Sequence, residues 1–280
     1  MKKNLLGRKF SHVVLYLIML LFVLVALYPF LWLLTTSTKT YSEAITWPPT
    51  MFGANPSFDN YVKVFHISGF VRSILNSVIY SVVGAFLTIL LSTMAAYGFS
   101  RYRFKGRKVL FFIVLATLMV PSQVTLIPIF LTLSQLDWIN TFQGLIVPGI
   151  GSAFAIYLVN QFGIGIPEEY FDSGKIDGAN AVLLYGKIFV PLCKPVIATL
   201  VVLEFINRWN DLFWPLIVTN TEDMTPLTLL LTTASRYFRD IYWNELAASM
   251  TIAILPILLL YIIFQKYFVE GISLSSGVKG

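Results

Sequence analysis

Charge is scarce in this 280-residue chain: Lys, Arg, Asp and Glu make up only 12% of it, about half the roughly 25% of an average soluble domain. Hydrophobic residues reach 57%, against about 45–50%. Together these departures exclude an ordinary soluble domain and argue for a membrane protein. The single cysteine, Cys193, excludes a disulfide within the chain and leaves the redox compartment open. Only two histidines occur, His12 and His66, and neither lies in a long apolar run. Metal or nucleophilic chemistry inside a membrane bundle wants His, Asp or Cys ligands there. A nucleotide-binding loop is missing as well. In "SGKI" Lys175 is followed by Ile176, and Glu169 stands where the first glycine is required. "GIGSAF" is not a nucleophile elbow. The chain shows no catalytic constellation of its own; if it moves something uphill, the energy comes from elsewhere. No internal or inverted repeat of the secondary-transporter kind is visible.

What is present is a series of long apolar stretches. A helix needs about 20 apolar residues to cross hydrocarbon, and six stretches qualify: 13–34, 73–99, 109–133, 142–162, 195–218 and 246–268. Their continuous apolarity lacks the alternation of a barrel strand, so they read as helices. The expected fold is an all-α integral membrane protein with six transmembrane helices. "MKKNLLGRKF" resembles the charged start of a signal peptide. The apolar run after it is longer than the roughly 7–15 residues of such a segment and ends in bulky residues, so a retained first span is the better reading.

Lys and Arg set the orientation. Fourteen of the 20 lie on one side: Lys2, Lys3, Arg8 and Lys9; Arg101, Arg103, Lys105, Arg107 and Lys108; Lys175, Lys187 and Lys194; Lys266 and Lys279. Five lie on the other: Lys39, Lys63, Arg72, Arg236 and Arg239. The net charge of +6 is therefore a matter of position and does not point to nucleic acid. Both termini are expected to be cytoplasmic, with 35–72 and 219–245 facing outward. The expected organisation is a cytoplasmic segment 1–12, a six-helix transmembrane domain 13–270 and a cytoplasmic tail 271–280.

Two spans are irregular in sequence. The third contains "VPSQVTLIP", with Pro121, Gln123 and Pro128; its break is either a packing kink or a lining of an aqueous path. The fifth contains "LEFINRWNDLFWP", which brings Glu204, Arg208, Trp209, Asn210 and Asp211 into or beside a span. Glu204 and Arg208 share a helix face at i, i+4. One reading is a structural ion pair near the outer interface, with Trp209 and Trp214 in an aromatic belt. The other makes Gln123, Trp209, Asn210 and Asp211 pathway lining for a hydroxyl-rich solute.

The polar stretch "EEYFDSGKIDGAN", 168–180, sits in the cytoplasmic 164–194 connection. Pro167 suits a first helical turn, and Glu168 and Glu169 suit its positive end. The helix should stop near Asp177, with Gly178 left-handed. A second short helix is expected from Asn180 to Phe189, ended by Pro191. Tyr170, Phe171, Ile176, Val182, Leu183 and Ile188 offer apolar contacts. Such a hook docks onto something, or is only a solvated loop.

The hook resembles the cytoplasmic loop of ABC importer permeases, with pattern E-A-A-x3-G-x9-I-x-L-P. Gly178, nine residues, Ile188 and Pro191 keep the spacing; Asp172, Ser173 and Gly174 replace Glu-Ala-Ala, and Val190 replaces Leu. The segments "TKTYSEAITWPPTMFGANPSFDNYVKVF", "LNSVIYS", "AAYGFSRYRFKGRK", "RWNDLFWPLIVT" and "GISLSSGVKG" are similar to carbohydrate-uptake permeases of the maltose-transporter type, the shorter of the pair. The resemblance implies a type I importer permease in the cell (inner) membrane, half of a heterodimeric pathway. Its partners would be a second permease, two cytoplasmic ATPase subunits that hold ATP and Mg, and an extracytoplasmic solute-binding protein. The chain itself would bind no cofactor. Within the 164–194 loop, Glu168, Glu169, Phe171, Asp172, Ser173, Gly174, Asp177, Gly178, Ile188 and Pro191 would couple to an ATPase, Gly174 allowing close approach and Asp172 and Asp177 meeting basic groups. Loop 219–245 would meet the binding protein, and the tail would reach toward the ATPases. The alternative is a stand-alone ion-coupled transporter of a polar solute, with Glu204 or Asp211 as ion site.

Overall fold

The computed structural model describes residues 3–237 and 242–276, with side chains over 12–233 and 242–266. The expected cytoplasmic cations Lys2 and Lys279, the outward Arg239 and tail residues 277–280 lie outside the described residues. All regular structure among the described residues is helical. Three helices are long and apolar enough to cross a membrane unbroken: His12–Ser37, Phe70–Arg101 and Trp243–Lys266. Three bent helix pairs bring the number to six if each pair counts as one span.

The chain divides into two compact units. The first comprises Met1–Ser68 and Thr233–Leu255. Its leading helix, Lys3–Ser37, buries none of its apolar window. After it the chain turns on a polar network. Asn60 Nδ2 donates to Ser37 O and Lys39 O, both at 2.8 Å, and Asn244 Nδ2 donates to Asn60 Oδ1 at 2.8 Å. Lys39 is buried, its ammonium donating to Thr50 O and lying 4.7 Å from the Trp32 ring centre. Thr40 and Glu43 form a capping box. Amide groups of Thr40 and Ala54 hold the Glu43 carboxyl below the ordinary range.

The second unit, Gly69–Thr232 with Pro256–Gly280, is organised around the Phe70–Arg101 helix. Helices Ala153–Ile164 and Lys194–Trp209 pack along it. Its buried face is built from small residues, including Ser73, Ser77, Ser81, Gly84, Thr88, Ser92 and Ala96. Lipid tails supply no hydrophobic drive between helices, so close backbone approach over small side chains supplies the contact.

The break expected at "VPSQVTLIP" in the third apolar stretch is present, and others accompany it. Arg107–Met119 and Ser122–Gln135 meet at 100°. Pro121 drives the preceding Val120 into the extended region (ψ 117°), which no helix can carry through. Phe142–Gly149 and Ala153–Ile164 meet at 45°. The expected fifth span 195–218 is also interrupted: helix Lys194–Trp209 stops, and Phe213–Val218 resumes after Asn210–Leu212. Nor does Pro191 end the hook. The helical path runs from Ala181 to Leu192 through a π-helical stretch at Tyr185–Phe189, and the 78° turn comes at Cys193. Pro191 falls just after the π-helical stretch, where the Val190 N–H reaches back five residues to Tyr185 O and the α-helical register restarts.

Candidate functional site: a hook and a polar cleft

The hook begins with helix Glu169–Ile176, preceded by Glu168 as N-cap. It closes with two bonds, Gly178 N–H to Lys175 O at 3.0 Å and Ala179 N–H to Gly174 O at 2.9 Å. That pattern is a Schellman motif, and Gly178 holds the left-handed position at φ 81°. Asn180 caps the next helix by accepting the Leu183 N–H at 2.9 Å. Lys175 Nζ meets Asp172 Oδ1 at 2.8 Å, and this bond raises the lysine pKa.

The two faces of the hook have different partners. Phe171, Leu184 and Phe189 point inward and join Ala96, Tyr97, Val159 and Cys193 in one core, with Ile188 packed at its edge. Gly174 is also inward. A Cβ there would lie 2.7 Å from Leu184 Cδ2 and 2.8 Å from Ile188 Cδ1. Its smallness therefore serves the packing of the hook's own two helices, and not, as the sequence suggested, approach to an outside surface. Tyr170, Ile176, Val182 and Leu183 are exposed, Ile176 at 87%. Glu168, Glu169, Asp172, Ser173, Asp177 and Pro191 are exposed as well.

Two residues that sequence reading used only for topology or apolarity anchor the hook. Arg101 donates through Nη2 to Gly163 O, and to Ile166 O at 2.7 Å, and lies 4.1 Å from the Phe171 ring centre. Tyr97 contacts the rings of Phe171, Tyr185 and Phe189. The available signal was an arginine closing an apolar run four residues after a tyrosine.

The fifth-span polar residues separate. Arg208 is 7% exposed and binds Glu204 Oε2 at 2.5 Å, Thr88 Oγ1 at 2.7 Å and Gly149 O at 2.7 Å. Gly84 leaves room for its guanidinium; a Cβ there would overlap it. Trp209 is 2% exposed and stacks on Phe205, so it belongs to the core and neither to an aromatic belt nor to a pathway wall. Asn210 is exposed at the helix end. Asp211 is half-buried. Tyr80 Oη donates to its Oδ2 at 2.8 Å, and the Trp214 N–H to its Oδ1 at 3.3 Å.

Asp211 and Gln123 line one cleft of about 460 Å³, together with Tyr80, Ser122, Thr125, Pro148, Gly149 and Trp214. Three chain breaks meet there: Ser122 and Gln123 follow the first, Pro148 and Gly149 flank the second, and Asp211 lies in the third. Irregular backbone at membrane depth is tolerated where it is buried in protein or lines a cavity. The polar groups of Tyr80, Ser122, Gln123, Thr125 and Asp211 share this lining with the apolar Leu126, Ile129 and Phe213, the mostly apolar make-up with a few polar groups that small-molecule sites have.

Residues 88–274 match the family described as the binding-protein-dependent transport system inner membrane component. The arabinooligosaccharides transport system permease protein AraQ of Bacillus subtilis (strain 168) is 33% identical over 265 residues, covering 92% of each chain. The lactose transport system permease protein LacG of Rhizobium radiobacter is 32% identical, covering 95% of this chain and 96% of its own. A chain from the crystal structure of a bacterial ABC transporter involved in the import of the acidic polysaccharide alginate superposes with a TM-score of 0.82. It is 26% identical, and the match covers 93% of this chain and 97% of that one. With its hook, its broken spans and these relatives, the chain belongs to the inner membrane components of binding-protein-dependent transport systems.

Proposed function

We propose that this non-catalytic permease subunit forms half of the pathway of an ATP-driven importer for an oligosaccharide or related polyol, and couples to a cytoplasmic ATPase through residues 164–194. The observation that carries the reading is the two-faced hook. Its inner face is fixed to the Phe70–Arg101 helix through Tyr97 and Arg101, while Ile176 and Val182 stand in the open beside Asp172 and Lys175. A rigid element with an unoccupied apolar face fits a cleft on a partner and transmits its motion as a body. The solute class rests on the named cargoes of the relatives and on the polar groups around Asp211 and Gln123. A second permease, two ATPases carrying ATP and Mg, and a solute-binding protein complete the proposed assembly. Of the two candidate ion sites, Glu204 is paired with Arg208, so ion-coupled transport would depend on Asp211 alone.

The test is a purified assembly of this chain with its co-expressed partners. Ile176→Asp and Val182→Asp change only exposed positions, so the chain should insert and fold normally. Loss of ATPase subunits, or of hydrolysis stimulated by loaded binding protein, is expected. In the same assembly Asp211→Ala should lower uptake without changing stoichiometry. Full stimulation in both hook variants would remove the coupling role, and full uptake with Asp211→Ala would remove the cleft from the pathway.

A further inference from the structure

A second concavity lies on the 101–108 connection. It has a volume of about 360 Å³ and is lined by Arg103, Phe104, Gly106, Arg107, Lys108 and Val109. Three cationic side chains converge on it, and Lys105 lies between them in sequence. None of the four joins any of the ion pairs found among the described residues. Arg107 is oriented by a bond from Nη1 to Tyr102 O at 3.2 Å. The first turn of the Arg107–Ala116 helix contains no acidic residue. Immediately beyond the cations the surface becomes apolar: Val109, Leu110, Phe112 and Ile113 are all exposed, and Phe104 flanks the cavity on the other side.

Positive charge in a connection is ordinary at a membrane surface. Here the cations surround a cavity, and an apolar helix face begins at its rim. A ligand that fits both features is an anion with a hydrocarbon body. We propose that this concavity binds the phosphate-bearing headgroup of an anionic phospholipid of the cytoplasmic leaflet, with the acyl chains lying along Val109, Leu110, Phe112 and Ile113. The proposal rests on the reading that 101–108 faces the cytoplasm. Basic pockets beside spans are a recognised form of lipid recognition, and guanidinium groups present paired donors to phosphate oxygens. The stretch "RYRFKGRK" has this alternation of cation and aromatic already in sequence. Lipid held there would brace the start of the Arg107–Ala116 helix, which leads through the Pro121 break to the Ser122–Gln135 helix that lines the cleft.

The experiment uses the full chain with its partners, placed in bilayers of phosphatidylcholine mixed with phosphatidylglycerol. Lipid retained through delipidation is read by native mass spectrometry. The wild type should hold phosphatidylglycerol over phosphatidylcholine by on the order of tenfold or more, since each nearby cation adds appreciable attraction to anionic lipid. The triple variant Arg103→Gln, Arg107→Gln, Lys108→Gln should lose the preference, and Lys63→Gln, on an exposed lysine elsewhere, should keep it. Equal retention of both lipids by the wild type overturns the proposal. Displacement of the lipid by inorganic phosphate alone would assign the cavity to a free anion and also overturn it. Loss of ATPase subunits from the triple variant, with no lipid preference in the wild type, would assign the basic surface to a protein partner instead. Both leaflets of these bilayers share one composition, so the result does not depend on which way the loop faces; labelling of Lys105→Cys in intact cells tests that reading separately.

Discussion

Arg208 binds three separate segments at once: Glu204 on its own helix, Thr88 on the Phe70–Arg101 helix and Gly149 at the second break. A charge at this depth is tolerable only when paired and fully hydrogen-bonded. Removing one partner strands the other. Glu204→Leu or Arg208→Met alone should therefore destabilise the chain by about 3–5 kcal/mol. The double variant should recover most of that loss, because no uncompensated charge remains. Thermal unfolding in detergent of the three variants checks this. A double variant as unstable as the two singles added together would mean the residues act independently. The i, i+4 spacing was readable in sequence; the bonds to Thr88 and Gly149 were not, because they join positions 120 and 59 residues apart.

At the scale of elements, the hook was the most legible part. Pro167, the leading glutamates and Gly178 are local signals, and local bonds decide helix ends. Gly178 sits at φ 81° with open space around a would-be Cβ, so substitution there meets strain and no collision. Gly178→Val should cost about 1–3 kcal/mol of backbone strain, whereas Gly178→Asn should be tolerated because Asn visits that region readily. ATPase stimulation by loaded binding protein should fall in the first variant and persist in the second; equal behaviour of the two would refute the strain argument. The inward turn of Gly174 was not legible, since it depends on where Leu184 and Ile188 come to rest. The same holds for the fifth apolar stretch. Hydropathy cannot register a break whose residues, Asn210 to Leu212, are held by bonds to Tyr80 and by the packing of Trp214.

For the whole molecule, apolar length and the Lys/Arg asymmetry carry the topology. We expect both termini, Lys105 and Gly178 on the cytoplasmic face and Asp59 outside. In a Cys193→Ser background, single cysteines at 59, 105 and 178 distinguish the faces with an impermeant thiol reagent in intact cells. Only position 59 should react, and reaction at 178 would invert the arrangement. Three unbroken helices and two bent pairs overlap the first, second, third, fourth and sixth apolar stretches; the third bent pair joins Lys194–Trp209 to the hook helix Ala181–Leu192, and so differs from the expected fifth span 195–218. The bends themselves come from proline placement and tertiary contact.

The helix Lys194–Trp209 joins the hook's turn at Cys193 to the break that carries Asp211. It is 16 residues long, about 24 Å at 1.5 Å per residue. One helix with an end in each place gives the two proposed sites a physical route for coupling, and any such coupling is reciprocal. Whatever factor partner binding at the hook applies to the affinity of the cleft for its solute, solute in the cleft must apply to the affinity of the hook for its partner. On the proposed function, cargo in the cleft would be felt at the hook through the helix that joins them.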